Sequence, residues 1–357
     1  MCQHRLTLTS LNLSNSDVDE ETLQVLAKEP WPLLQTLNLG KNEEYPVVDW
    51  STMRDINCPM LQTVDLSQTN LDDESCTILA ACDWPQLRSL DISFNKIGAA
   101  GLRHLVTANW PLLEELILSG PMGTQCIRLL CIGQWPQLKK LVLLESELDD
   151  ASVVLLAAAH RPLLESLKLG KVPELTNQAI RHLLTADWPR IKDLTMWGFA
   201  PEYASFILLA KKWPHLQQLS LGGLEHGCGQ SLPINSLMDA GWADLTALHL
   251  DYAGLGSEAV KLLANEALDL SDNIMGLFMR TAWGTGLTGP CCQEAIKLLA
   301  GDSNGALKEG LNRLGPSDKL GHSLWPNLKL LNLGNLICSN GAYHAQYSSD
   351  YDPDCDE

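Results

Sequence analysis

A Trp-Pro dipeptide recurs along this 357-residue chain at nearly fixed intervals, and each copy is followed by the same pattern of leucines. One copy reads from Trp84-Pro85-Gln86-Leu87 through Leu90-Asp91-Ile92 to Asn95, and others open at Trp31, Trp110, Trp135 and Trp188. A period close to 26 residues is the mark of a solenoid, in which each unit packs only on its neighbours. That constraint outweighs the length of the chain, which exceeds a usual single core. It also sets an expectation about function, because a solenoid offers a long continuous surface and few enclosed pockets.

The unit reads Leu-x-x-Leu-x-Leu-x-x-Asn, then a helix, then Trp-Pro. Its middle position holds Leu11, Leu37, Val64, Leu90, Leu116, Leu141, Leu167, Leu194, Leu219, Leu248, Leu268 and Leu331. Alternation through Leu-x-Leu predicts a short strand. The segment after it has helical spacing, opens on a cap-type acid or hydroxyl and stops before proline, as from Leu148 to Ala159. Eight of the eleven tryptophans share one repeat position (31, 84, 110, 135, 188, 213, 242 and 325). They read as a stacked structural spine, each indole burying area against the next, with proline ending the helix.

This strand-then-helix unit resembles the leucine-rich repeat over about residues 6–270, with a last copy near 325–336. The repeat length and the proline before the strand are similar to the cysteine-containing and ribonuclease-inhibitor-like subclasses. The resemblance implies an α/β solenoid, a curved horseshoe with a parallel sheet on the concave face and helices on the convex face. The family's cysteine before proline is kept at Cys58, and its loop asparagine at Asn42, Asn95 and Asn273, with Thr69, Pro121 and Ser146 among the replacements. Residues 1–270 read as the regular array, 271–323 as irregular or degenerate repeats with an insertion, 324–338 as the last repeat and 339–357 as an acidic disordered tail.

The net charge of −18 disfavours a nucleic-acid ligand, which requires a basic footprint, and suits a basic protein partner. Much of the acidity falls where helices begin (Asp17, Asp19, Glu20, Glu21; Asp72, Asp73, Glu74; Asp149, Asp150), where carboxylates cap backbone N–H groups. No run of about 18 apolar residues is present, so no membrane span is expected. The eleven cysteines form no CxxC pair and, with no apolar leader, point to reduced thiols in the cytoplasm or nucleus. Neither a metal nor another cofactor is expected. No nucleotide, metalloprotease or nucleophile-elbow motif occurs and the histidines are isolated, so no catalytic residue is assigned and no enzyme activity is expected.

Period-2 alternation turns one residue of each strand toward the concave side: Asn12, Asn38, Asp65, Asp91, Ile117, Val142, Lys168, Thr195, Ser220, His249 and Asp269. The row is polar and acidic early, apolar at Ile117 and Val142, then mixed. Both aliphatics are expected to meet solvent, flanked by Glu114 and Glu115 on one strand and by Lys139 and Lys140 on the next. That is the anatomy of an interface centre with a charged rim. A bland alternative is that Glu115 and Lys140 pair across strands. Phe94, Trp197 and Tyr252 fall in the loop after the strand, as partner anchors or as covers for irregular loops. The leading reading is a non-enzymatic scaffold that binds a protein partner through Ile117, Val142, Glu115, Lys140, Lys168, Asp91, Phe94, Trp197, Tyr252 and His249. Two further readings stay open by family resemblance: a substrate-recognition subunit of a ubiquitin ligase, and a regulator of a small GTPase. Sequence leaves the oligomeric state open.

Overall fold

A computed structural model describes residues 5–42, 49–170, 175–197, 203–222, 239–250 and 330–332. Each Leu-x-Leu segment forms a strand: β1 (Ser10–Asn12), β2 (Thr36–Asn38), β3 (Thr63–Asp65), β4 (Ser89–Asp91), β5 (Glu115–Ile117), β6 (Lys140–Leu144), β7 (Ser166–Gly170), β8 (Asp193–Trp197), β9 (Gln218–Gly222), β10 (Ala247–His249) and β11 (Leu330–Asn332). The strands lie side by side in chain order in one parallel sheet. The repeat period and the register agree, since Leu37, Val64, Leu90, Leu116, Leu141, Leu167, Leu194, Leu219, Leu248 and Leu331 are paired strand to strand.

Between strands the chain returns through helices α1 (Glu20–Ala27), α2 (Asp73–Ala80), α3 (Ala99–Leu105), α4 (Thr124–Ile132), α5 (Asp150–Ala158), α6 (Asn177–Leu183) and α7 (Tyr203–Lys212). A 3-10 helix at Trp50–Asp55 takes this place in the second repeat. A helix is about 10 Å across and a strand spacing about 4.8 Å. Stacking one helical return per strand step from β1 to β9 therefore curves the array with its sheet inside.

The core is continuous along the array, because the inward leucines of each unit meet those of the next. The tryptophan spine is buried as expected from Trp84 to Trp242. Trp84 stacks on Trp110 at 6.4 Å and Trp188 on Trp213 at 6.3 Å. Five described cysteines (Cys58, Cys76, Cys82, Cys126 and Cys131) are free thiols. Burial pushes Cys58, Cys76 and Cys82 up to about 12 and Cys131 to about 11, so they pack as small apolar groups and are unreactive. Among the described residues no helix is long and apolar enough to cross a membrane.

Much of the acidity is used to hold helices. Asp19, Asp72 and Asp149 each accept a backbone N–H in the first turn of α1, α2 and α5. Asp73 reaches into the next unit and accepts from Gly98 N and Gly101 N at 2.7 and 2.8 Å, capping α3, which has no side-chain cap of its own. Asp150 likewise accepts from Thr176 at the start of α6.

Hydrogen bonds from Thr22, Ser75 and Ser152 hold the Asp19, Asp72 and Asp149 carboxyls below the usual carboxylate range. A carboxyl whose folded value is depressed contributes stability above its unfolded value, near 3.9, and loses it as pH falls through the folded value. The urea midpoint is therefore expected to fall steeply below about pH 4. The double substitution Asp72→Asn and Asp149→Asn, which keeps a capping oxygen but removes the titration, is expected to flatten that fall. Superimposable acid limbs for the two proteins would contradict this assignment.

The sequence expectation of a further strand at Leu268 falls outside the described residues. β10 is bonded directly to β11, so the inner-row neighbour of His249 is Asn332 in place of Asp269. Asp269, with all of 251–329 and the tail 339–357, lies outside the described residues.

Candidate functional site

The inner row is assembled as its spacing predicts, with Asn12, Asn38, Asp65, Asp91, Ile117, Val142, Lys168, Thr195, Ser220 and His249 facing one another in adjacent strands. The position two residues earlier forms a second row on the same face, including Glu115, Lys140, Ser166 and Asp193.

The two rows differ in how their charges are met. Glu115 is ion-paired with Lys140, and Lys168 with Asp193 at 3.3 Å. Asp193 also accepts the Ser166 hydroxyl at 2.8 Å. Just before the strands, Glu114 holds both Arg88 and Lys139, and Lys192 holds Glu165. So Glu115, Lys140 and Lys168 are engaged across strands, as the bland alternative had it for the first two. Each such half-exposed pair adds at most about 1 kcal/mol.

Asp65 and Asp91 stand apart. Each carboxylate bonds the backbone N–H and hydroxyl of the serine two residues on, at 2.6–3.0 Å. Neither has an ion-pair partner among the described residues. Burial raises the Asp91 carboxyl above its ordinary value, the Ser93 hydrogen bonds oppose this in part, and repulsion from Asp65 and Glu115 adds to the rise. The early sheet face thus carries negative charge that the fold itself does not neutralise.

The apolar centre needs a correction. Ile117 is half-buried, but Val142 is only 5% exposed, so it does not meet solvent. Ile117 and Lys168 flank it in register on the two adjacent strands. Thr195, further along the row, is likewise buried, at 6%. Alternation gives the direction of a side chain but not the height of its neighbours.

Trp197 is also placed differently. Strands β6 to β9 run two residues longer than the others, and Trp197 is the last residue of β8, paired with Gly222, where a loop position was expected. It therefore shares the inner face with Asp193 and Thr195, is 36% exposed, and donates its indole N–H to the Ser220 hydroxyl at 2.9 Å. The neighbouring strand offers Gly170, whose missing Cβ would lie 3.0 Å from Trp197 Cβ and 2.8 Å from Leu144 Cδ2, so a larger residue there would crowd the indole. His249 is half-buried in the row beside Ser220, and Tyr252 lies outside the described residues.

Phe94 is in the loop after β4, as expected, and is 41% exposed. Its backbone has φ +55°, the left-handed region that L residues with bulky side chains avoid. The fold demands this conformation at the equivalent loop position of other repeats, filled there by Asn15, Lys41, Gln68 and Glu145, with Gly120 at φ +124°. Phe94→Asn is expected to raise stability by about 0.5–1 kcal/mol, because asparagine tolerates this region and the ring is 41% exposed. Urea denaturation measures it, and a lowered midpoint would show that the ring covers structure after all.

Loop asparagines close the strand-to-helix turn. Asn95 donates its amide to Leu66 O, Ile92 O and Ser93 O and accepts from Thr69 N and Leu71 N, so one side chain ties two repeats. Asn42 does the same for Ser16 and Val18. Residues 85–106, which hold β4, this asparagine and α3, match the family described as Leucine Rich repeat. That one unit is similar to the leucine-rich repeat.

Three solved structures illustrate what this repeat array is similar to. LegL7 from Legionella pneumophila is 14% identical over 83% of this chain and 98% of that chain, with TM-score 0.47. The yeast complex of Rad7 and Elc1 gives 17% identity, coverage of 71% and 78%, and TM-score 0.41. InlP from Listeria monocytogenes gives 15%, coverage of 70% and 57%, and TM-score 0.37. No curated protein matches the chain in sequence.

Proposed function

We propose that this leucine-rich repeat chain is a non-catalytic scaffold that binds a protein partner on the inner face of its sheet, presenting a basic segment of that partner with Asp65 and Asp91. The carrying observation is the contrast within that face. Glu115, Lys140, Lys168 and Asp193 are neutralised by one another, whereas Asp65 and Asp91 repel each other with no cation between them. A lysine or arginine placed there removes a repulsion the free protein must bear, which favours association and its rate. Ile117 supplies apolar area beside the acids, and Trp197 an aromatic anchor roughly 20 Å further along the sheet, at about 4.8 Å per strand. Lys168 is the one lysine or arginine in the described row and is held by Asp193, which gives phosphate no free cation there.

The test is a binding measurement with partners captured by the unaltered protein. Asp65→Lys with Asp91→Lys is expected to weaken the specific partner at least tenfold, equivalent to about 1.4 kcal/mol, and to reduce the salt dependence of binding. Trp197→Ala is expected to act separately. Val142→Asp is avoided, since it would bury a charge and confuse unfolding with lost contact. Undiminished binding by both variants would overturn the proposal.

A further inference from the structure

The tryptophan spine is broken once between Trp135 and Trp188, where Arg161-Pro162 stands in place of Trp-Pro. Arg161 is largely withdrawn from water, and its Nη2 donates to Leu130 O and Gly133 O at 2.9 and 3.1 Å, at the C-terminal end of α4. Leu130 O also accepts the Gly133 N–H at 3.2 Å, and Gly133 is the residue that ends the helix, so this edge of the guanidinium adds a second donor to the helix cap. The arginine fills its place incompletely, because a void of about 10 Å³ remains between it, Trp135 and Trp188.

Outside that void lies a notch of about 450 Å³ lined by Cys131, Ile132, Trp135, Pro136, His160 and Arg161. Ile132 on its rim is 61% exposed. Acids outnumber bases 43 to 25 in this chain, and yet no carboxylate lies within ion-pair reach of Arg161 among the described residues. Nor do its Nε and Nη1 groups have a protein acceptor among the described residues, and neither is wholly sealed from solvent.

We propose that this notch binds a carboxylate side chain of an acidic peptide segment, which takes the free edge of the Arg161 guanidinium against the Trp135, Ile132 and Pro136 walls. A planar carboxylate matches the two-pronged edge of a guanidinium. A phosphate group, with nearly twice the charge, gathers several cations, and here Arg161 is the one lysine or arginine in a lining that also holds His160 and Gln134. Desolvation lowers the Arg161 pKa, a penalty that a bound anion offsets. The notch lies on the edge where helices return to strands, opposite the edge that carries Phe94 and Trp197, so it is a second contact point independent of the inner face.

The experiment uses the full chain labelled with 5-fluorotryptophan, the Trp135 ¹⁹F resonance being assigned with Trp135→Phe. The probe is an acetylated, amidated tri-glutamate peptide, with tri-glutamine as the neutral control and inorganic phosphate as a separate arm. A saturable shift of the Trp135 resonance with tri-glutamate alone is expected, and Arg161→Gln is expected to weaken it at least tenfold. Arg161→Lys keeps the helix cap and the charge without the fork, and is expected to weaken it at least threefold while leaving the spectrum folded. No saturable shift, an equal response to tri-glutamine, an undiminished response in Arg161→Gln or Arg161→Lys, or saturation by phosphate in place of the peptide would overturn the assignment.

Discussion

Trp110→Ala is expected to lower the unfolding free energy by about 3–5 kcal/mol. Trp110 is 1% exposed and stacks on Trp84 with planes 17° apart, so truncation opens a cavity in the spine and removes a ring contact. The loss falls at the joint between units, and a solenoid depends on the coupling of neighbours for its cooperativity. Hydrogen exchange is therefore expected to accelerate in β4, α3 and β5 before it does in β8 or β9. Trp110→Phe is expected to cost far less, about 1.5 kcal/mol or under, because the indole N–H is buried without an acceptor and its removal relieves a penalty. Trp31→Phe lacks that relief, since the Trp31 indole donates to Leu26 O at 2.8 Å. Equal costs for Trp110→Phe and Trp110→Ala would contradict a packing role for the spine.

Asn95→Ala is expected to cost about 3 kcal/mol, since a half-buried turn loses the partner of two N–H donors and three carbonyl acceptors at once. The adjoining repeat supplies an internal comparison. Thr69 occupies the equivalent position and makes one local bond to Leu66 O at 2.7 Å, drawing its cross-repeat support from Asn95. Asn95→Thr is therefore expected to keep the local bond, lose the ties to Thr69 N and Leu71 N, and fall midway between the parent and Asn95→Ala in urea midpoint. An Asn95→Ala midpoint within error of the parent would show that the turn is held by its backbone alone.

The period, the strand positions and the inner row are legible in the sequence because repetition tests each assignment many times. A single Leu-x-Leu is ambiguous, but ten in register are not, and Asp65, Asp91, Ile117 and Lys168 fall where alternation puts them. Features that depend on what stands in the next strand are not legible. Val142 is buried, Trp197 is drawn into β8 by two additional pairs, and β11 pairs directly with β10. Arg161 was visible as Arg-Pro at the spine position, but its meaning needs the helix end it caps and the notch beside it. The acids at Asp73 and Asp150 were readable as helix-start residues, whereas the helix each one caps in the following repeat was not.

The most direct measurement is a hydrogen-exchange footprint of the captured complex against the free chain. Binding on the inner face predicts protection in β3 to β8, greatest around Asp65 to Ile117, with helices α2 to α5 unchanged and with protection lost in the Asp65→Lys and Asp91→Lys double variant. Protection confined to the helices, or unaltered by that variant, would contradict binding on the inner face.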